Sequence, residues 1–276
     1  MIGNIKKMQT MLGDAAKNQP VQYQLPIGED LLPMNEHIGQ TIKLSYKSEI
    51  HCVACGRKTN KSFAQGHCFP CFRSLASCDM CIMKPETCHY AAGTCREPEW
   101  GESHCFKPHF VYLANSSGIK VGITRGTQIP TRWMDQGAAS ALPIYKTKNR
   151  LLCGLVEASF KKHVNDKTSW QKMLKGLPEE IDLAKRRDEL FTQFKSDIAA
   201  IKKEHGDDSV IELTNEETLT FNFPVSTYPE KVKSLNFDKT HEIEGVLQGI
   251  KGQYLILDIG VLNIRKFGGY LVEFSG

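Results

Sequence analysis

Nine of the ten cysteines lie between residues 52 and 105, and the first four run Cys52-x2-Cys55, twelve residues, then Cys68-x2-Cys71. A two-residue gap lets both thiolates of a knuckle face one ion, and two knuckles complete a closed tetrahedral set, so this segment is expected to fold around a structural zinc. A disulfide framework is the competing reading. The chain is too long for a disulfide miniprotein and opens without a basic-then-apolar signal, so the thiols are expected to stay reduced, in a cytoplasmic protein. No apolar run approaches the roughly 20 residues of a membrane helix, and no membrane partner is expected.

The other cysteines of the cluster run Cys78-x2-Cys81-x6-Cys88-x6-Cys95-x9-Cys105, with His89, His104 and His109 nearby. Five thiols are one too many for a single ion. One quartet is Cys78, Cys81, Cys88 and Cys95. The other, preferred here, is Cys81, Cys88, Cys105 and His109, because it uses a Cys-x3-His pair and ties the cysteine module to the strand beginning at Phe110. A second structural zinc is the expectation, with an iron–sulfur cluster as the alternative.

Charge is unevenly spread. The formal +4 counts cysteines as neutral, and two four-thiolate zinc sites would bring the total near zero, so overall basicity says nothing about nucleic acid. Residues 101–175 carry twelve Lys or Arg against Glu102, Asp135, Glu157 and Asp166, whereas 176–220 carry twelve acids against six bases. That asymmetry predicts a polyanion-facing module beside a solvated helix. Around the first four cysteines, Lys58, Lys61 and Arg73 alternate with Phe63, Phe69 and Phe72. This is either a surface for nucleic acid or a small aromatic core with bases offsetting thiolate charge.

Residues 21–50 alternate loosely (Val21, Tyr23, Leu25; Ile42, Leu44, Tyr46), as do Ile243–Ile250, Tyr254–Ile259 and Tyr270–Phe274 near the other end. Neither set buries a sheet alone, so the two are expected to pair. The predicted class is α+β: an N-terminal β segment (1–50), a zinc-binding cysteine module (51–108), a small α/β module (109–177), a helical segment (178–220) and C-terminal hairpins (221–276) that pair with the first segment. One helix is expected over about 179–204, opened by Pro178. No internal repeat is visible.

Phe110-Val-Tyr-Leu-Ala114, a Ser116-Ser117-Gly118 loop and Ile119-Lys-Val-Gly-Ile-Thr124 read as a β-hairpin with Asn115 opposite Ile119 and Tyr112 opposite Gly122. Alternation sends Val111, Leu113, Ile119, Val121 and Ile123 to a core, and Tyr112, Lys120, Gly122 and Thr124 to the other face, with open space over the Tyr112 ring. A helix over about 128–137 puts Arg132 and Gln136 on one side. A strand near Leu142–Lys146 leads to a second helix, on which Leu152, Leu155, Val156, Ser159 and His163 follow helical spacing with Glu157 beside them.

This order resembles the GIY-YIG nuclease superfamily, especially its phage-type branch, whose strands read like Val-Tyr-Leu and Lys-Val-Gly. The resemblance spans about 109–175. It implies that Tyr112 works at the scissile phosphate, that Arg132 contacts phosphate, and that Glu157 binds a divalent ion such as Mg²⁺ or Mn²⁺. Two positions depart from the pattern: Lys120 stands where the second motif has tyrosine, and Gln136 where a histidine is common. Lys120 is then the candidate base or phosphate clamp. The plainer reading makes Tyr112 and Trp133 core residues, Arg132 a surface charge and Glu157 an ion-pair partner of Lys161.

As a whole the chain resembles the bacterial family called domain of unknown function 2797, through Cys-Gly-Arg-Lys-Thr at 55–59, Met-Lys-Pro-Glu-Thr-Cys at 83–88, Pro-Thr-Arg-Trp-Met-Asp-Gln-Gly-Ala at 130–138 and Gly-Ile-Lys-Gly-Gln-Tyr-Leu at 249–255. The expected function is a zinc-containing nucleic-acid-binding protein of GIY-YIG type, acting as a metal-dependent endonuclease. The alternatives are non-catalytic binding of DNA, tRNA or rRNA, and a protein-interaction scaffold.

Overall fold

Strands from the two ends of the chain share one sheet in the computed structural model, which describes residues 1–14, 19–161 and 169–276. β1 (Ile2–Asn4), β5 (Thr41–His51), β12 (Glu242–Lys251), β13 (Tyr254–Leu257), β14 (Gly260–Asn263) and β15 (Tyr270–Ser275) run in the order β1-β15-β5-β12-β13-β14. β6 (Lys58–Thr59) pairs with β5 at its side. The central β5 holds the two ends together, with Leu44 opposite both Ile243 and Phe274. A three-stranded sheet of β2 (Gln9–Met11), β3 (Gln22–Ile27) and β4 (Asp30–Pro33) packs on the same core.

These strands contain an internal repeat that was not expected. β3, β4, a 3-10 turn at Met34–His37 and β5 recur as β13, β14, a 3-10 turn at Ile264–Phe267 and β15. Leu25, Ile27, Leu32, Met34, Ile42 and Leu44 correspond without a gap to Leu255, Leu257, Leu262, Ile264, Val272 and Phe274, and all twelve are buried. The left-handed glycine that turns each chain into its last strand, Gly39 (φ 88°) and Gly269 (φ 85°), matches as well. Apart from Ser45 and Ser275, what repeats is the apolar positions and this glycine, because burial and one backbone turn are what the two copies have in common.

The middle of the chain forms a second sheet. β7 (His109–Asn115), β8 (Ile119–Arg125) and β9 (Ser140–Thr147) are joined by β10 (Val210–Glu212) in the order β10-β9-β7-β8, and β11 (Leu219–Thr220) also pairs with β9. The hairpin has the expected register, Asn115 opposite Ile119 and Tyr112 opposite Gly122, with Gly118 at φ 119°. Pleating divides its faces. Val111, Leu113 and Val121 pack against α4 (Arg150–Phe160), α6 (Leu183–Gln193) and α7 (Lys195–His205), while Tyr112 and Ala114 join the core of the terminal strands. The other helices are α1 (Phe69–Ser74), α2 (Pro98–His104), α3 (Thr131–Asp135) and α5 (Trp170–Leu174).

Four local expectations change. The single helix over 179–204 is two, α6 and α7. It starts after Asp182, whose carboxylate accepts from the Lys185 amide at 2.9 Å, a cap that Pro178 has no side chain to supply. It breaks at Phe194, whose ring turns in against Phe160 at 4.4 Å. The segment after it is not all helical, since β10 and β11 complete the middle sheet. The helix over 128–137 is only α3: Ile129, held extended ahead of Pro130, delays its start, and Gly137 at φ 64° ends it. The run Tyr254–Ile259 turns at Asp258 and Ile259 into β14. His163 lies outside the described residues.

Candidate nucleic-acid groove and metal centers

The four candidate catalytic residues come from four elements and line one groove of about 430 Å3. Tyr112 stands on β7, Lys120 on β8, Arg132 on α3 and Glu157 on α4. Three parts of the chain build the walls. Ile82, Met83 and Pro85 enter from the cysteine module, and Arg265 comes from the 3-10 turn before β15. Six basic side chains (Lys120, Arg125, Arg132, Arg150, Lys161 and Arg265) face a single carboxylate, Glu157. A concave surface with that balance attracts polyanions.

Tyr112 is buried, and its ring fills the space beside Gly122 that was expected to be open: a Cβ there would lie 2.6 Å from the hydroxyl. The hydroxyl donates to Gln136 Oε1 at 3.0 Å. Burial raises its pKa, against the opposing pull of the Arg132 guanidinium, so the phenol keeps its proton at neutral pH. Trp133 packs edge-on to Tyr112 at 5.7 Å and belongs to the core. Glu157 is nearly buried, and its Oε2 lies 3.4 Å from Lys161 Nζ, the i,i+4 pair of the plainer reading. The ion pair and the groove position hold together, because Lys161 lines the same groove.

Sequence reading missed Arg125, Arg150 and Arg265. Alternation would send Arg125 to the core face with Ile123, two residues before it, so its place in the groove was not legible from the strand pattern. Nor was Arg150 easy to see. Its guanidinium donates to the Ile82 carbonyl at 2.7 Å and its backbone amide to the Cys105 carbonyl at 2.8 Å, so it binds the cysteine module to the start of α4. Below it, Gly154 lets α4 approach so closely that an added Cβ would meet Pro85 at 2.5 Å and the Glu86 amide at 2.7 Å. Arg265 reaches the groove only because the terminal sheet folds back over 130 residues of chain, and no local pattern signals that.

The first four cysteines converge. The sulfurs of Cys52, Cys55, Cys68 and Cys71 all lie within 4.8 Å of one another, with Cys55 and Cys68 3.8 Å apart. Thiolates sharing one zinc at about 2.3 Å stand about that far apart, and the set is compatible with a structural zinc. Burial works against the Cys52 thiolate, but amides of Cys68, Cys55 and Ala54 outweigh it and lower the thiol to about 6. Contact with the Cys55 and Cys68 thiols pushes Cys71 up to about 12. Four sulfurs this close cannot all ionize at neutral pH without a cation among them. Phe63, Phe69 and Phe72 pack together beneath, with Lys61 and Arg73 over their rings, although half of Phe69 remains exposed.

The remaining cysteines are arranged otherwise. Cys81, Cys88 and Cys105 line one small cavity, but the fourth thiol there is Cys95. His109 is not among its lining residues. Its Nδ1 donates to the Lys107 carbonyl at 2.8 Å, its Nε2 is buried without a hydrogen-bond partner, and burial lowers its pKa to about 4. Cys78 stands outside the cavity too, so neither quartet drawn from spacing matches it.

A family model matches residues 39–272. The chain belongs to the family described as "Protein of unknown function (DUF2797)". That match covers the cysteine module, the residues that line the groove and the terminal sheet from just before β5 to the third residue of β15. No curated protein and no solved structure matches the chain. Among the described residues no helix is long and apolar enough to cross a membrane.

Proposed function

We propose that this protein binds nucleic acid in the basic groove and cleaves its phosphodiester backbone there with the help of a divalent cation, as a zinc-supported GIY-YIG-like nuclease. One observation carries the reading: Tyr112, Lys120, Arg132 and Glu157, chosen from motif order, meet in a single solvent-connected groove with four further basic residues. A phosphoryl transition state gathers negative charge on its oxygens, which a guanidinium meets with two parallel hydrogen bonds. Arg132 is the residue for that task, and Arg125 and Arg150 can grip flanking phosphates. The cation would bind at Glu157, the groove's one carboxylate, and would supply Lewis-acid stabilization of the departing oxygen. Tyr112, protonated, donates its single hydroxyl proton to Gln136 in the free protein and would donate to a phosphate by giving up that bond. Lys120, an ammonium in the same groove, is the group placed to clamp a phosphate oxygen beside Arg132.

A second reading has a specific observation in its favor. Lys161 already pairs with Glu157, and an ammonium there competes with a metal ion for the carboxylate. Under this reading the groove grips the backbone without cutting it. Incubation with DNA and RNA substrates in Mg²⁺ or Mn²⁺ separates the two. Cleavage that disappears in Glu157→Gln while binding persists supports the nuclease, whereas tight binding by wild type with no cleavage in either metal supports the gripping protein. Unchanged cleavage in Glu157→Gln would reject Glu157 as the metal residue.

A further inference from the structure

Asp135 is the last residue of α3, the helix that carries Arg132, and it is nearly buried. Arg132 stands three residues before it, a spacing at which a carboxylate and a guanidinium on one helix readily pair. Asp135 pairs elsewhere. Its Oδ2 accepts from the Lys7 ammonium, and its Oδ1 accepts from Gln253 Nε2 at 2.9 Å and from the Thr10 hydroxyl at 3.5 Å. Gln253 is held in turn by Met8, whose amide donates to its Oε1 at 2.8 Å and whose carbonyl accepts from its Nε2 at 3.1 Å. Gly252 brings this turn against the end of α3, where an added Cβ would lie 3.1 Å from the Asp135 carbonyl oxygen.

Three distant segments therefore meet on one carboxylate: residues 7–10, the turn between β12 and β13, and α3. Two of the sequence runs that carried the family resemblance, 130–138 and 249–255, touch each other here through Asp135 and Gln253. None of Lys7, Asp135 and Gln253 lines the groove. The charge of Asp135 is nevertheless felt there. Burial lowers the pKa of Arg265 and the Arg132 charge lowers it further, whereas Asp135 raises it.

We propose that Lys7 and Gln253 are positioning residues for the groove: they keep the Asp135 carboxylate engaged, so that Arg132 and Arg265 keep their charge for phosphate. The proposal rests on the reading of the groove as a phosphate site. Without the Lys7 ammonium, a buried carboxylate turns to the next cation within reach, because a buried charge left unpaired is costly. That cation is Arg132 or Arg265, and either pairing takes one positive charge from the groove.

The test is the salt dependence of binding to a labeled duplex, read by fluorescence anisotropy. Lys7 is partly exposed, so Lys7→Met should fold. Its slope should be shallower than that of wild type by about 0.9, and its affinity should drop about 150-fold between 50 and 200 mM salt where wild type drops roughly 500-fold. Adding Asp135→Asn, which still accepts from Gln253 but carries no charge, should restore the wild-type slope. A merely structural loss would not be repaired by a second substitution in the same network. Lys203→Ala removes an equal charge on the exposed side of α7 and should keep the wild-type slope. With Arg132→Ala shallower than wild type, three results would overturn the proposal: a wild-type slope in Lys7→Met, a shallow slope that Asp135→Asn does not restore, or an equal change in Lys203→Ala. A wild-type slope in Arg132→Ala would instead reject the groove as the phosphate site, and the proposal with it.

Discussion

The groove's charge balance makes a quantitative prediction about salt. Six basic side chains against Glu157 leave five net positive charges facing a bound backbone. If each neutralizes one phosphate, the logarithm of the association constant falls with the logarithm of salt concentration at a slope of about −4.5 for duplex DNA, or about −3.5 for a single strand. Between 50 and 200 mM salt the duplex affinity should then drop roughly 500-fold. Arg132→Ala removes one of those charges, so its slope should be shallower by about 0.9 and its drop about 150-fold, which narrows its deficit against wild type about threefold as salt rises. Fluorescence anisotropy with a labeled duplex and a labeled single strand at four salt concentrations measures all of this. Lys203→Ala, on the exposed side of α7 and away from the groove, is the control and should leave the slope unchanged. Equal slopes for wild type and Arg132→Ala would refute the assignment of the groove as the phosphate site, and a slope near zero would refute electrostatic binding altogether.

Other consequences concern stability. Lys251 is fully buried, with its ammonium on the Gly176 carbonyl at 2.9 Å, and burial lowers its pKa from 10.5 to about 8. The folded protein sheds this proton before the unfolded chain does, so the cost of burying the charge, on the order of 3 kcal/mol, is full below pH 8 and fades as pH rises toward 10.5. After allowance for the lost hydrogen bond, Lys251→Met should be more stable than wild type by about 1–2 kcal/mol at pH 7 and lose that lead near pH 10; urea unfolding at both values checks it, and a pH-independent difference would count against it. Gly154→Ala should cost roughly 1–3 kcal/mol by forcing α4 off Pro85 and Glu86, read as a lower melting temperature, and an unchanged one would show that the module docks elsewhere. Cys71→Ser should remove the first zinc and open residues 51–74 to protease while leaving the terminal sheet resistant; protection equal to wild type would argue against a structural metal there.

The two cysteine sets mark the limit of spacing as evidence. Cys52-x2-Cys55 and Cys68-x2-Cys71 are knuckles, in which local backbone geometry aims both sulfurs, so the convergence of the four was legible without coordinates. Cys88, Cys95 and Cys105 sit in a turn, a loop and at the end of α2, with gaps too long for any local rule to aim them. Neither quartet drawn from spacing therefore coincides with the four cysteines that line the one small cavity. The hairpin tells the same story from the other side: alternation and a three-residue loop determined its register because both act between neighbors in sequence.

What the sequence determined by itself was whatever is local or periodic: the cysteine knuckles, the β7–β8 register, the strands at both ends, and the candidates Tyr112, Lys120, Arg132 and Glu157. What only the tertiary structure decided was convergence. Arg265 meets Arg132 in one groove, Cys95 rather than His109 lines a cavity with Cys81, and Leu25 and Leu255 occupy equivalent places in a repeated motif. Each of these depends on packing between segments far apart in the chain, where burial of apolar surface chooses the neighbors and no residue pattern along the backbone encodes the choice.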